Sequence, residues 1–198
     1  EELKRLIRGP IAMVPTPMDD SYRLDYGRMA ELTHWWIERG LVTGKSVIKV
    51  APGGGEGTQL GDDEWPHLLQ TVVQAANGRV PVMGCIHHKG TIRAIEDAKR
   101  AQDLGAIALQ VSPPIFADPS QDDMLRHFGA ISAAIDIGIM IYNTHWYQFR
   151  SGSVVKMVGY VEPRTFARMA DFERMVSIKW SVPDGVAYEE MEKLANIF

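Results

Sequence analysis

Short apolar runs punctuate the chain at a nearly regular interval, at residues 11–14, 46–50, 80–85, 107–111, 137–142 and 175–178. Each is too short for a stable helix, so each reads as a buried strand. Their spacing of roughly thirty residues is the length of one strand-plus-helix unit. Between them the apolar positions recur at helical spacing. In 26–39, Met29, Leu32, Trp36 and Ile37 fall near one face, and 62–76, 91–104 and 121–135 behave in the same way, with 186–197 closing the series. Helix-start signals precede several of these segments, at Asp62-Asp63-Glu64 and at Ser120-Gln121-Asp122-Asp123, and glycines close them at Gly40, Gly78 and Gly105. Strand–helix alternation without a strand-only block predicts a parallel sheet, either a barrel or an open doubly wound sheet. The stretch 144–162 is longer than an ordinary connection, and an extra turn or helix is expected within it.

Composition narrows the picture without redirecting it. The 198 residues suit one domain, 1–198, with a real core, and 45% hydrophobic with 23% charged residues is ordinary for a globular chain. A net charge of −4 with both signs interspersed argues against nucleic-acid and membrane-surface partners. No apolar run approaches ~20 residues, so no membrane span is expected. A single cysteine, Cys85, excludes an internal disulfide and fits a reducing compartment, which together with the charged N-terminus reads as cytoplasmic. Two nucleotide motifs fail on inspection. The run Gly53-Gly54-Gly55-Glu56-Gly57 is followed by Thr58 where a dinucleotide fingerprint needs its last glycine. Gly44-Lys45-Ser46 precedes a strand, whereas a phosphate-binding loop follows one.

The chemistry begins with a lysine. Lys179 directly follows the apolar run 175–178, and an unpaired ammonium is costly to bury. Either the strand reaches the surface there, or the fold shelters an amine for use. In a β/α barrel the functional groups gather where strands end. At those points the sequence reads Pro15-Thr16-Pro17, then Gly53-Gly54-Gly55-Glu56, then Pro113-Pro114-Ile115-Phe116 with Pro119-Ser120-Gln121, then Tyr142-Asn143, then Ile178-Lys179.

In this order and spacing the motifs resemble those of the dihydrodipicolinate synthase / N-acetylneuraminate lyase superfamily of class I aldolases, which reads TPF, GTTGE, PYY before Pro-x-Gln, YN and IK. The resemblance runs from about Gly9 to Asp184. It implies a (β/α)8 TIM barrel, of which about six β/α units fall within the chain. It also implies a Schiff-base aldolase or lyase acting on a 2-oxo acid such as pyruvate and an aldehyde, with no cofactor. Lys179 would form the imine and Tyr142 would shuttle protons, while Thr16, Gly53, Gly54 and Gly55 would line the substrate site. A homo-oligomer, tetramer or dimer, is expected on the same grounds. Elementary chemistry agrees about the lysine: a free amine of pKa ~10.4 is charged at neutrality, and a low-dielectric interior favours the neutral nucleophile.

The departures from that pattern are informative. Gly53 and Gly54 stand where the family has threonine hydroxyls, Ile115 or Phe116 stands at the relay tyrosine, Tyr147 lies near the position of the arginine clamp, and His145 replaces a proline. These changes argue against dihydrodipicolinate synthesis itself. His145-Trp146-Tyr147 with Phe149 follows Tyr142 directly and could form an aromatic wall for a bulky aldehyde. His87-His88 is the one close histidine pair, and adjacent residues point apart on an extended chain, so no metal site is expected. Cys85 reads as a small buried residue. Two other functions share the same residues: a dehydratase of a sugar-derived 2-oxo acid using Lys179, and a non-catalytic relative. Since a barrel of this kind needs eight strands, two further units are expected beyond Phe198.

Overall fold

The computed structural model describes residues 2–115, 118–144, 148–151, 154–182 and 185–196. After a short helix α1 (Glu2–Leu6), strand and helix alternate: β1 (Ile11–Met13), α2 (Tyr26–Glu38), β2 (Val47–Lys49), α3 (Glu64–Ala76), β3 (Val82–Ile86), α4 (Thr91–Asp103), β4 (Ala108–Val111), α5 (Gln121–Ser132) and β5 (Gly138–Thr144). There follow β6 (Gln148–Ser151), β7 (Val154–Met157), α6 (Pro163–Met169), β8 (Met175–Ser181) and α7 (Tyr188–Ala195). Six strands form one parallel sheet in the order β1-β2-β3-β4-β5-β8. A doubly wound sheet would reverse its order at a switch point. This one never reverses, which is the order of a β/α barrel.

The two faces of the sheet have different fillings because side chains alternate along each strand. On the outer face Ile48, Val82, Ile86, Leu109, Val111, Ile139 and Ile141 pack against helix residues such as Leu68, Leu69, Met124 and Phe128 in one large core. On the inner face Val47, Met83, Ala108 and Met140 form a separate apolar floor, joined by Ile7, Ile11 and Ile107. Barrel interiors are packed in such layers.

Local chemistry explains most element ends. Ser120 and Asp123 form a reciprocal capping box at the start of α5. Gly40, Gly78 and Gly105 all take positive φ just beyond helices, as their positions suggest. The Asp62-Asp63-Glu64 signal works differently from a simple cap. Neither aspartate caps α3; Glu64 reaches back to the N–H of Gly61 at 2.8 Å, and Asp62 is drawn into ion pairs with Lys89 and Arg93.

Two expectations need correction. The described residues of 144–162 contain an antiparallel hairpin, β6 with β7, and no helix, so three strands follow one another before α6. The strand bearing Lys179 also continues to Ser181, which places the lysine inside the strand and not at its end.

Behind the hairpin, the chain returns to the sheet through two side-chain clamps. Buried Asn143 donates to the Val161 carbonyl at 3.0 Å and accepts from the Val161 N–H at 2.9 Å. Gln121 donates to the Tyr160 carbonyl and accepts from the Glu162 N–H. The Asn of Tyr142-Asn143 and the Gln of Pro119-Ser120-Gln121 thus act as braces for one segment.

The pairing of β5 with β8 contains one irregularity. Ile139 pairs with Met175, but Met140 pairs with Ser177, so β8 carries an extra residue, Val176, between the two pairs. Gly138 makes room for it: a Cβ there would sit 2.9 Å from one methyl of Val176 and 3.3 Å from the other. We expect Gly138→Ala to lower stability by about 1–3 kcal/mol in a urea titration, as overpacking does. An unchanged midpoint would show that the bulge does not depend on this glycine.

Candidate active site

One layer above the apolar floor the inner face turns polar. Counting two residues on from the floor along each strand gives Lys49 on β2, Cys85 on β3, Gln110 on β4 and Tyr142 on β5. Beyond the bulge, Lys179 on β8 pairs directly with Tyr142. Paired residues of neighbouring parallel strands point the same way, so the lysine and the phenol share the inner face. Lys179 Nζ lies 4.1 Å from the centroid of the Tyr142 ring, a cation–π contact. Tyr142 is buried and Lys179 half-buried.

The more deeply buried amine is a different one. Lys49 is 2% exposed, and its Nζ donates to Gln110 Oε1 at 2.8 Å, with Gln110 also 2% exposed. Burial lowers the Lys49 pKa from its ordinary 10.5, and the charge of Lys179 nearby pushes it the same way. Lys49 and Lys179 line one open cavity of about 370 Å³ together with Ile11, Met13, Met140 and Ile178. The sequence signal for Lys49 was the same as for Lys179, a lysine set in an apolar run with apolar neighbours on both sides. Gln110 could have been found likewise, as the polar residue within 107–111.

The remaining candidates are placed as follows. Thr16 is buried and its hydroxyl donates to the Gly55 carbonyl at 2.6 Å, tying the loop after β1 to the glycine turn. Gly53–Gly55 forms a single 3₁₀ turn at the C-terminal end of β2. Gly55 is fixed by space, since a Cβ would meet the Val14 carbonyl at 2.5 Å, whereas Gly53 and Gly54 face open space. His145 and Trp146 lie outside the described residues, as do Phe116 and Tyr147. His87 Nε2 donates to the Ala51 carbonyl and His88 Nδ1 to the Pro113 carbonyl; burial lowers both pKa values. The Cys85 thiol is buried and pushed up to about 12 by that burial, so it is no nucleophile at neutral pH. Among the described residues no group of three His, Cys, Asp or Glu could hold a metal ion, and no helix is long and apolar enough to cross a membrane.

A half-barrel of parallel β/α units with two amines on its inner face defines the class of protein: a β/α barrel. The comparisons with known proteins make the assignment specific. A sequence model of the dihydrodipicolinate synthetase family matches residues 6–196, and the chain belongs to that family.

Relatives include the 4-hydroxy-tetrahydrodipicolinate synthase of Pelobacter propionicus, 33% identical over 88% of this chain and 55% of its own. That of Heliobacterium modesticaldum is 33% identical over 98% of this chain and 59% of its own. Among solved structures, the chloride-inhibited dihydrodipicolinate synthase of Acinetobacter baumannii complexed with pyruvate superimposes with a TM-score of 0.81. It is 25% identical, over 96% of this chain and 60% of that one. The chain therefore spans between half and two thirds of the length of these relatives.

A buried lysine without a carboxylate partner has a stability signature. Lys49 binds its proton less tightly when folded than when unfolded, so below the folded pKa its burial costs stability in full. As pH rises toward 10.5 the unfolded state holds more protons, and stability recovers. Lys49→Met should accordingly raise the urea midpoint at pH 7, with the gain shrinking as the pH approaches 10.5. A gain that is constant with pH, or a loss at pH 7, would contradict this account of the site.

Proposed function

We propose that the protein is a class I aldolase or lyase that joins or cleaves a 2-oxo acid such as pyruvate and an aldehyde through an imine on Lys179. The observation that carries the reading is the Lys179–Tyr142 pair, an amine in contact with a phenol on the inner face of a parallel barrel. The amine attacks the C2 carbonyl, the carbinolamine loses water, and a protonated imine results. That cation lies above the Tyr142 ring face, whose negative quadrupole favours it. Loss of a proton from C3 gives the enamine, which attacks the aldehyde carbon. Hydrolysis then releases the product and restores the amine. Tyr142 can donate and accept through one oxygen, the property a proton shuttle needs.

Family membership supports this chemistry, and the A. baumannii relative was solved with pyruvate bound. The glycine turn 53–55 and Thr16 would border the acid half of the substrate, with His145 and Trp146 bordering the aldehyde half. Assembly into a homo-oligomer belongs to the same reading, although one dihydrodipicolinate synthase neighbour is a monomeric variant.

Incubation with pyruvate and borohydride should add mass irreversibly at Lys179, and EDTA should leave turnover unchanged. Tyr142→Phe should still form some imine but turn over about 10²–10⁴-fold more slowly. No adduct, an adduct on another lysine, or a Tyr142→Phe rate within twofold of the parent would each count against the assignment.

The aldehyde partner is expected to differ from aspartate semialdehyde. Gly53, Gly54 and either Ile115 or Phe116 supply no hydroxyls where the family relay has them, Tyr147 stands near the position of the arginine clamp, and the Thr16 hydroxyl is engaged by Gly55. A coupled assay with pyruvate and aspartate semialdehyde should show only slow condensation; efficient condensation would overturn this expectation.

A further inference from the structure

Lys49 has no role in the chemistry above, yet it is a buried amine on the inner face. It is 2% exposed, and its hydrogen-bond partner is a neutral amide, Gln110 Oε1 at 2.8 Å. Among the described residues no carboxylate stands within ion-pair distance of it. A buried ammonium in that condition weakens the fold, because desolvation is offset by only one neutral acceptor. An anion brought in by a ligand would complete it.

We propose that Lys49, held in place by Gln110, is the carboxylate anchor for the 2-oxo acid that reacts at Lys179. The inference rests on the imine reading of Lys179 and adds the group that recognises the acid. Three observations carry it. First, Lys49 and Lys179 line the same cavity of about 370 Å³, which has room for on the order of ten water molecules and hence for a small keto acid. Second, the carboxylate carbon of a 2-oxo acid is bonded directly to the carbonyl carbon that the amine attacks. The cation that holds the carboxylate must therefore share a cavity with the attacking amine, and Lys49 does.

Third, the hydroxyl route to the carboxylate is closed in this chain. Gly53 and Gly54 have no side-chain donors, and Thr16 donates to Gly55. Of an ammonium's three protons, Gln110 takes one, so two remain for an anion. Ile11, Met13 and Met140 around the cavity offer the anion no competing hydrogen-bond donor from their side chains. Lys49 thus accounts for acid selectivity: a neutral ketone of the same size forms no ion pair with it.

The test compares pyruvate with hydroxyacetone, a neutral three-carbon ketone, in borohydride trapping on the full-length protein, scoring only the adduct on the peptide containing Lys179. In Lys49→Met the pyruvate concentration for half-maximal trapping should rise about 10–100-fold, the worth of a lost charged hydrogen bond. The hydroxyacetone value should stay within twofold. Gln110→Glu is the second variant. It gives Lys49 an internal carboxylate in nearly the same volume, and should produce the same pyruvate-selective loss even if Lys49→Met does not fold.

Pyruvate trapping within twofold of the parent in both variants would overturn the anchor while leaving the Lys179 imine intact. An equal loss for pyruvate and hydroxyacetone would overturn it too, because Lys49 would then act on the reactivity of Lys179 and not on the carboxylate. Absence of any Lys179 adduct in the parent would remove the imine reading, and the anchor with it.

Discussion

The site depends on the register between β5 and β8. Side chains on a strand alternate faces, so a slip of one residue exchanges every inward group for an outward one. Without the extra residue at Val176, Tyr142 would stand opposite Ile178, and Lys179 would point into the helix-packed outer core. With it, Tyr142 stands opposite Lys179 and both face inward. Ile178 and Trp180 then pack on the outer core, where their apolar surface belongs. Gly138, by lacking a side chain, lets the two strands approach at the bulge. The chemistry of the inner face and the packing of the outer face are therefore set by one local feature.

The two inward lysines differ in burial and in surroundings. Lys179 is half-buried and rests on an aromatic face, a position from which an amine can meet a substrate. Lys49 lies deeper, beside an amide and near the other cation, where desolvation and repulsion both disfavour its charge. Placing like charges in one cavity weakens a fold, so the pair makes physical sense chiefly when an anion enters between them. A 2-oxo acid offers a carbonyl for one amine and a carboxylate for the other.

Much of this was legible in the sequence, and the failures have physical causes. All six strands of the sheet were found from short apolar runs, since strands buried on both faces read as continuous hydrophobic stretches. Helices α2 to α5 and α7 followed from their periodicity. The hairpin was missed because Gln148–Ser151 and Val154–Met157 mix polar and apolar residues. The Gly152-Ser153 pair between them was the available signal. Motifs singled out Lys179 and Tyr142 as candidates, but their mutual register depends on a bulge no local pattern announces. Lys49 was passed over because a single lysine in an apolar run is more commonly a strand end than a buried cation. Only the third dimension shows Gln110 reaching it from 61 positions away.

The most direct test of the account is a crystal structure of the full-length protein soaked with pyruvate and reduced with borohydride. Continuous density is expected from Lys179 Nζ to C2 of the ligand, with the phenol of Tyr142 beside the new bond and the ligand carboxylate on Lys49 Nζ. Pyruvate bound without a covalent link, or linked to Lys49, would contradict it.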